Sequence, residues 1–441
     1  MKRLLPLLLC AVLALFCATT AQAAGVSITL TASEYALHYA FDAGAQDPFV
    51  ILEYATPAEK GWMMLYSADG RFEGDIALAY SGAGGKTSVA LTSARTTGSI
   101  GKASTTLPKA ADYQKPTGKS NAKVTDFVLT ETPEGFHYAF NAIGTDYMLL
   151  YWRSKEQTVT QPVYPDENGH YEGDVVSELT FARTQFTVQV KSGSGSMKKE
   201  ATVRKGYQAP EAPQRQEGRL SGVTVCIDAG HQENGRFVNE PIGPGLTGST
   251  SGKGGMAQGT KTNRRESIVC LEIGMLLRDE LLRQGANVIM TREDQTTFHT
   301  NIERCEIAEA GGAQIMLRLH CNNSSNRSKR GIQVYGPLNS DYAKAVADAD
   351  TYREMGQKLL DAMKTRVGMT LANSTGMVRL NDNYVGNNWA KMMCFLVEMG
   401  YLSNPAEEYL LVTPVYQQWL AEGMADGVYE IAVARGWVQA Q

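Results

Sequence analysis

Four residues in the C-terminal half of the chain are of types that can bind a metal ion or move a proton. His231, His320 and Glu398 each follow or end a short apolar run typical of a buried strand, and Glu266 opens a predicted helix. Two neutral imidazoles and one carboxylate, with one position left for water, are the ligand set of a hydrolytic zinc site. A further carboxylate beside that water can take its proton and pass it to a leaving amine, a role that suits Glu398.

The spacing of these residues is a weak signal by itself. From His231 to Glu398 the gaps are 35, 54 and 78 residues, and a histidine at a strand end is commonly a core or surface residue with no ligand. The four side chains meet only if their strands are neighbours, since sites in parallel sheets form at the carboxyl ends of the strands.

The elements that must position these residues begin near residue 223, where apolar strands start to alternate with amphipathic helices. This alternation predicts an α/β domain with a mainly parallel, twisted sheet flanked by helices. We predict strands over 223–227, 287–291, 314–320, 331–335 and 394–398, and helices over 266–283, 301–310, 341–366 and 415–435.

Several short motifs lie on these elements in a defined order. They are IDAGH at 227–231, the glutamate that opens the first helix, Thr291-Arg292, RLHCN at 318–322 and VEMGYLSN at 397–404. In order and placement they resemble the zinc-dependent N-acetylmuramoyl-L-alanine amidases of the type-3 class, over residues 223 to about 437.

The resemblance implies a role for each matching residue. His231, Glu266 and His320 would bind Zn²⁺, and Glu398 would be the catalytic glutamate. The bond cleaved in the family joins N-acetylmuramic acid to the L-alanine of the stem peptide in peptidoglycan. The metal-site chemistry alone predicts only amide hydrolysis.

Four further residues are predicted to contact the substrate. Asn322 follows a zinc ligand, Arg292 could face a stem-peptide carboxylate, and Asn388 and Trp389 resemble a substrate-side loop. Three of them have a structural alternative, which is a turn for Asn322, a solvated or structural ion pair for Arg292 and packing for Trp389.

The loop between His231 and Glu266 is longer than in the simplest members of the family. It contains EPIGPG at 240–245 and TSGKGG at 250–255. The loop either borders the active cleft or is a flexible surface insertion, and the sequence favours neither.

The N-terminal half contains an internal repeat. HYAF at 38–41 recurs at 137–140, and EGD at 73–75 recurs at 172–174, both offset by 99 residues. Short alternating runs separated by turn residues predict a small β-sandwich, Ig-like, for each copy. We divide the chain into a signal peptide (1–23), β-module 1 (25–108), β-module 2 (122–207), a linker (208–218) and an amidase domain (219–441).

The N-terminus and the composition indicate where the protein acts. A basic start, an apolar run and a small-x-small site ending at Ala23 are typical of a secretory signal peptide, with an uncleaved anchor as the alternative. We predict a secreted, cell-wall-associated protein with no membrane span in its mature chain. A net charge of −4 and a pI near 6.0 argue against nucleic acid as a partner. The five cysteines beyond the signal peptide lack the spacing of a disulfide framework and are predicted to pack as small apolar residues.

Other functional classes stay open at this point. The chain could be a non-catalytic or activator-dependent wall-binding protein, or a zinc peptidase that cuts within the stem peptide. The β-modules could carry the function as carbohydrate-binding units, with exposed aromatics drawn from Trp62, Tyr66, Tyr151 and Trp152. Most simply, the modules tether the amidase domain to the wall.

Overall fold

The computed structural model describes most of the 441 residues. The described residues are 19–21, 25–33, 36–78, 83–94, 96, 98–111, 122–132, 135–145, 148–153, 158–176, 185–192, 196–204, 210–232, 238–250, 255–262, 264–367 and 377–440. Most of the predicted signal peptide lies outside them.

The described residues of the N-terminal half form strands only. These are β1 (Thr19–Ala21), β2 (Ile28–Ala32), β3 (Ala36–Asp42), β4 (Phe49–Ala55), β5 (Glu59–Tyr66), β6 (Arg71–Ala77), β7 (Gly85–Ser93), β8 (Ser99–Leu107), β9 (Lys123–Thr132), β10 (Gly135–Ile143), β11 (Met148–Arg153), β12 (Thr158–Val163), β13 (His170–Val176), β14 (Gln185–Lys191) and β15 (Met197–Arg204).

Strands and helices alternate in the C-terminal half. The strands are β16 (Thr224–Ala229), β17 (Asn287–Met290), β18 (Ile315–Asn322), β19 (Gln333–Gly336), β20 (Met377–Leu380) and β21 (Met393–Tyr401). The helices are α1 (Glu266–Arg283), α2 (Asn301–Ala310), α3 (Asp341–Val346), α4 (Ala349–Val367), α5 (Val385–Trp389), α6 (Glu407–Leu410) and α7 (Pro414–Ala434).

Each copy of the repeat has its own apolar core. Strands such as β3 and β14 alternate buried and more exposed residues, the pattern of a strand with one face on a core. One buried cluster gathers residues from β2, β3, β4, β6, β7 and β8, and a second gathers residues from β9 to β14. This arrangement supports the predicted β-modules, whereas their Ig-like topology and boundaries stay predictions.

One sheet runs through both copies of the repeat. Its order is β15-β14-β11-β12-β5-β4-β7-β8, and β12 joins β5 through the pairs Thr158↔Lys60 and Val159↔Glu59. The remaining strands of the two copies form a separate sheet each, β2-β3-β6 and β13-β10-β9, and β1, from the predicted signal peptide, pairs with β2. The sequence had not predicted that the two modules share a sheet.

The C-terminal half is built on one six-stranded sheet of order β17-β16-β18-β21-β19-β20. β17, β16, β18 and β21 are parallel, and β19 runs antiparallel to β21. The mainly parallel α/β prediction is therefore confirmed, with one reversed pair. Because β16, β18 and β21 are adjacent and parallel, their carboxyl ends meet at one edge of the sheet.

Local signals account for several helix boundaries. α1 begins with the acidic Glu266 and ends before Gly285, whose φ of +95° suits glycine. α2 begins with a complete capping box between Thr300 and Glu303. The single helix predicted over 341–366 was wrong. It is divided into α3 and α4, because the Asp348 carboxylate accepts a hydrogen bond from the Thr351 amide and starts a new helix.

β-Module 1 packs directly on the C-terminal half. Phe49 is 1% exposed and belongs to the buried cluster of the α/β domain, where its ring contacts Tyr416 and Trp419 edge-on. Trp62 makes a similar edge contact with Tyr409. These aromatics of module 1 therefore belong to an internal interface.

Two further predictions concern the whole described chain. Within it, no helix is long and apolar enough to cross a membrane. The five cysteines beyond residue 200 are free and buried, in agreement with the prediction that they pack rather than pair.

Candidate metal centre

The three predicted ligands converge at the carboxyl edge of the parallel strands. His231 lies just beyond β16, His320 lies on β18, and Glu266 opens α1. One ligand atom from each lies within 4.8 Å of the other two. No other three His, Cys, Asp or Glu side chains among the described residues meet this closely.

The Glu266 carboxylate lies at the centre of this cluster and is 3% exposed. Its Oε1 atom is 3.2 Å from His231 Nε2 and 3.0 Å from His320 Nδ1. Oε1 also accepts the Cys321 amide at 3.0 Å, and Oε2 accepts the Ala257 amide at 2.8 Å. Burial raises the pKa of Glu266, but hydrogen bonds to the two histidines outweigh it and hold the pKa well below its usual range. The carboxylate is therefore ionised and fixed in orientation.

Glu398 lies beside the cluster on the neighbouring strand. In the pairing of β18 with β21, His320 is opposite Glu398, so both side chains project from one face of the sheet. Glu398 Oε2 is enclosed and has no hydrogen-bond partner. Burial, reinforced by the charge of Glu266, raises the pKa of Glu398 to about 8. A carboxyl group with this pKa can exchange a proton near neutral pH.

The backbone at Gly230 and His231 has two unusual features that bring the histidines together. His231 has φ of +58°, in the left-handed region that non-glycine residues seldom adopt. At the preceding Gly230, a Cβ atom would lie 2.4 Å from the Leu319 carbonyl oxygen and 2.6 Å from Cε1 of His320. Glycine at 230 therefore allows the ends of β16 and β18 to approach closely enough for the histidines to meet.

A buried network of charged residues holds the segment that leads to His231. Asp228 is fully buried and accepts hydrogen bonds from Thr291 Oγ1 at 2.8 Å and Arg318 Nε at 2.9 Å, and it pairs with Arg304. Arg304 also donates to the His231 carbonyl oxygen at 3.2 Å. Burial raises the pKa of Asp228, but the two arginines outweigh it and hold the pKa far below its usual range.

Arg292, predicted to contact the substrate, is instead committed inside the domain. It is 2% exposed, and its guanidinium donates to the carbonyl oxygens of Ala229, Gly230 and Ser267 at 2.7 to 2.9 Å. These contacts make Arg292 a support for the His231 segment, through carbonyl oxygens rather than through the ion pair that was its structural alternative.

The other three predicted substrate residues also make contacts within the domain. Asn322 donates to Gln333 Oε1 at 3.2 Å, beside the cluster. Asn388 is buried and donates to the Ile242 carbonyl oxygen at 3.0 Å, and Trp389 Nε1 donates to that of Pro241 at 2.8 Å. Asn388 and Trp389 thus anchor segment 240–245 of the long loop between His231 and Glu266. The sequence had allowed this loop to be either a border of the cleft or a flexible insertion.

The cluster fits a zinc ion by the chemistry of its donors. Two imidazole nitrogens and one ionised carboxylate oxygen converge, and an enclosed carboxylate oxygen of Glu398 faces the same region without a partner. Burial lowers the pKa of His320, which favours the neutral imidazole that binds metals.

A comparison with protein families identifies the domain that carries the cluster. The family model described as N-acetylmuramoyl-L-alanine amidase matches residues 225–430. This segment is a type-3 amidase domain. The match begins within β16 and ends within α7, so it includes all of the sheet but Thr224 and all four residues of the proposed centre.

Two named relatives resemble the amidase domain. The germination-specific N-acetylmuramoyl-L-alanine amidase of Bacillus subtilis is 26% identical over 231 residues, which cover 49% of this chain and 83% of that protein. The probable cell wall amidase LytH of Staphylococcus aureus is 27% identical over 218 residues, which cover 48% of this chain and 60% of LytH. The chain thus spans less than two thirds of the length of LytH.

Two amidases are among the solved structures that match this chain. The N-acetylmuramoyl-L-alanine amidase of Clostridium difficile 630 is 23% identical with a TM-score of 0.38, covering 48% of this chain and 96% of its own. The amidase Ami1 of Mycobacterium smegmatis is 16% identical with a TM-score of 0.42, covering 49% of this chain and 99% of its own.

Sequence reasoning missed Asp228 and Arg318, two of the three charged residues that support the ligands of the amidase domain. Asp228, Arg304 and Arg318 are each at most 4% exposed. A usable signal was present, because Asp228 and Arg318 interrupt otherwise apolar strands, and a charge in a buried strand requires a partner.

Proposed function

We propose that the protein hydrolyses the amide bond between N-acetylmuramic acid and L-alanine in peptidoglycan, with one Zn²⁺ bound by His231, Glu266 and His320. The observation that carries the proposal is the convergence of these three ligand atoms within 4.8 Å, beside the unpartnered oxygen of Glu398. The amidase family and the names of the relatives support the substrate class.

Within this proposal the residues of the centre have distinct tasks. A bound Zn²⁺ would lower the pKa of a water molecule and polarise the carbonyl group under attack. Glu266, ionised and held by two backbone amides, keeps its orientation whether or not a substrate is present. Glu398 acts as general base and then as general acid. It takes the proton of the attacking water at its carboxylate and delivers it to the leaving nitrogen of L-alanine.

We also propose that the protein acts outside the cell, at the wall. The signal-peptide pattern of residues 1–23 and the name of LytH, a probable cell wall amidase, support this location. The β-modules would then place the amidase domain on its polymeric substrate, with module 1 packed on α6 and α7 through aromatic contacts.

The direct test is mass spectrometry of peptidoglycan digested by the purified protein. The proposal predicts free stem peptides with a new L-alanine N-terminus, lost in Glu398→Gln and after treatment with a chelator. Fragments cut within the stem would identify a peptidase instead. No release from purified peptidoglycan would favour the wall-binding or activator-dependent alternatives.

A further inference from the structure

The long loop between His231 and Glu266 contains a buried carboxylate with no role in the proposed chemistry. Glu240 is 4% exposed and lies at the start of the segment that Asn388 and Trp389 hold. Its Oε1 atom accepts the Ile302 amide at 2.8 Å. Its Oε2 atom accepts the Asn301 side chain at 2.7 Å and the Asn301 amide at 3.2 Å. Both oxygens are thus used at the N-terminus of α2.

This contact adds to the cap that α2 already has. Thr300 and Glu303 satisfy each other's amides in the capping box, which leaves the amides of Asn301 and Ile302 to Glu240. A buried negative charge at this position also complements the positive end of the helix dipole. A carboxylate from a distant loop therefore completes the start of α2.

The Asn301 side chain extends the contact towards the metal centre. While its Nδ2 donates to Glu240, its Oδ1 accepts Arg318 Nη2 at 2.7 Å. Arg318 in turn donates to Asp228, which pairs with Arg304.

The last step of this path reaches a metal ligand. Arg304 lies on α2 itself and donates to the His231 carbonyl oxygen at 3.2 Å. It also contacts the Gln232 side chain. The position of α2 therefore affects the backbone of His231, whose left-handed conformation directs its own ring into the cluster.

Glu240 also helps to balance the positive charges of the two buried arginines along this path. Arg304 and Arg318 are both 4% exposed and share a single carboxylate, Asp228. Glu240 supplies another carboxylate, linked to Arg318 through Asn301. Buried cations are costly unless they are paired and hydrogen-bonded, so this anion helps both arginines to keep their positions.

We propose that Glu240 is a positioning residue for the metal centre, which couples the long loop to His231 through α2 and the buried arginines. The inference rests on the proposed function, since it concerns the same centre. It assigns to the loop a task within the domain, namely to hold a zinc ligand in place. Residues that orient metal ligands typically change metal affinity by about 10- to 100-fold when removed.

The test measures the zinc affinity of the full chain by competition with a chromogenic chelator, without substrate. Glu240→Ala should raise the Kd for zinc by about 10- to 100-fold. Asn301→Ala, which breaks the link to Arg318, should raise it by about 10-fold, and this variant decides the matter if Glu240→Ala does not fold. The matched control is Glu303→Ala, which removes the exposed half of the capping box on the same helix and should lower the Tm without changing the Kd.

A second readout separates positioning from simple stabilisation. In an activity assay, the zinc concentration for half-maximal rate should rise in Glu240→Ala while the KM for peptidoglycan fragments stays unchanged. Wild-type zinc affinity in both Glu240→Ala and Asn301→Ala would overturn the inference and leave the proposed function intact. A wild-type protein that binds zinc but releases no stem peptide would refute the proposed function, and the affinities would still decide the role of Glu240.

Discussion

Histidines beside carboxylates occur in two regions of this molecule, with very different geometry. In the amidase domain, His231 and His320 face the same oxygen of Glu266, which is 3% exposed. In β-module 1, the two ring nitrogens of His38 face different carboxylates, Asp75 at 3.0 Å and Glu73 at 3.5 Å.

The same arrangement recurs in β-module 2. His137 faces Asp174 at 2.9 Å and Glu172 at 3.2 Å, and both acidic side chains are at least 60% exposed. His170 also lies 3.8 Å from Glu172, so residue types are shared between the regions. Among the described residues, three ligand atoms come within 4.8 Å of one another in the amidase domain alone. Convergence and burial, rather than the presence of histidines and acids, distinguish the candidate site.

The largest expected effect separates the two regions by activity. Glu398→Gln should slow stem-peptide release by roughly 10³-fold, within the range found when a general acid–base group is removed. Its matched control is Glu172→Gln, the same change beside a module histidine, which should leave the rate within about twofold of wild type, since exposed substitutions seldom matter. Release is measured by mass spectrometry of a fixed digest. Equal loss in both variants would break the comparison.

The next effect concerns the interface between β-module 1 and the amidase domain. Phe49→Ala should lower the free energy of unfolding by about 3–5 kcal/mol, because a large ring is removed from a buried contact. It should also speed amide hydrogen exchange in α7, which Phe49 contacts.

The matched control for Phe49 is its counterpart in the repeat. Met148 lies 99 residues later, is fully buried, and belongs to the core of module 2. Met148→Ala should destabilise module 2 and leave exchange in α7 unchanged. If α7 exchanges equally fast in both variants, module 1 is no more attached to the amidase domain than module 2.

A smaller effect tests whether close approach of two strands forms the cluster. Gly230→Ala places a Cβ atom 2.4 Å from the Leu319 carbonyl oxygen and 2.8 Å from His320 Nδ1. We expect a loss of about 1–3 kcal/mol in stability, as in other overpacked sites, together with weaker zinc binding. Gly255→Ala is the control, since nothing lies within 4 Å of its added atom. Calorimetry of zinc binding to both variants gives the comparison, and an unchanged affinity in Gly230→Ala would contradict it.

The smallest effect is the pH dependence of the zinc-free protein. The pKa of Glu398 is raised by burial from 4.5 to about 8, so the folded protein holds this proton more tightly than the unfolded chain. Stability should therefore fall as the pH rises from about 4.5 towards 8, by about 1–3 kcal/mol for a partly exposed group. Glu398→Gln should lack this contribution. Urea unfolding at pH 5 and pH 8.5 in the presence of a chelator measures this contribution. An equal change in the free energy of unfolding between the two pH values in both proteins would contradict the prediction.

Much of the fold could be predicted because its signals are local. α1 was predicted with its observed bounds, since the acidic start at Glu266 and the glycine at 285 are adjacent in sequence to the helix. The break between α3 and α4 was missed because Asp348 lies in a continuous amphipathic pattern, and its capping contact appears only in the structure.

The site could be predicted in part for the same reason. The residues of the cluster stand at strand ends that the sequence reveals. In the structure, Arg292, Asn388 and Trp389 make internal contacts. The sequence did not predict these contacts, because the hydrogen-bond partners lie up to 148 residues away along the chain. No local pattern records such contacts, and the same holds for the sheet shared by the two β-modules.

The most direct test of the central claim is an anomalous difference map at the zinc absorption edge, from crystals of the full chain grown with one equivalent of zinc. The account predicts one dominant peak among His231, Glu266 and His320, and none at the module histidines His38 and His137. A dominant peak beside the module histidines, or none in the amidase domain, would contradict it.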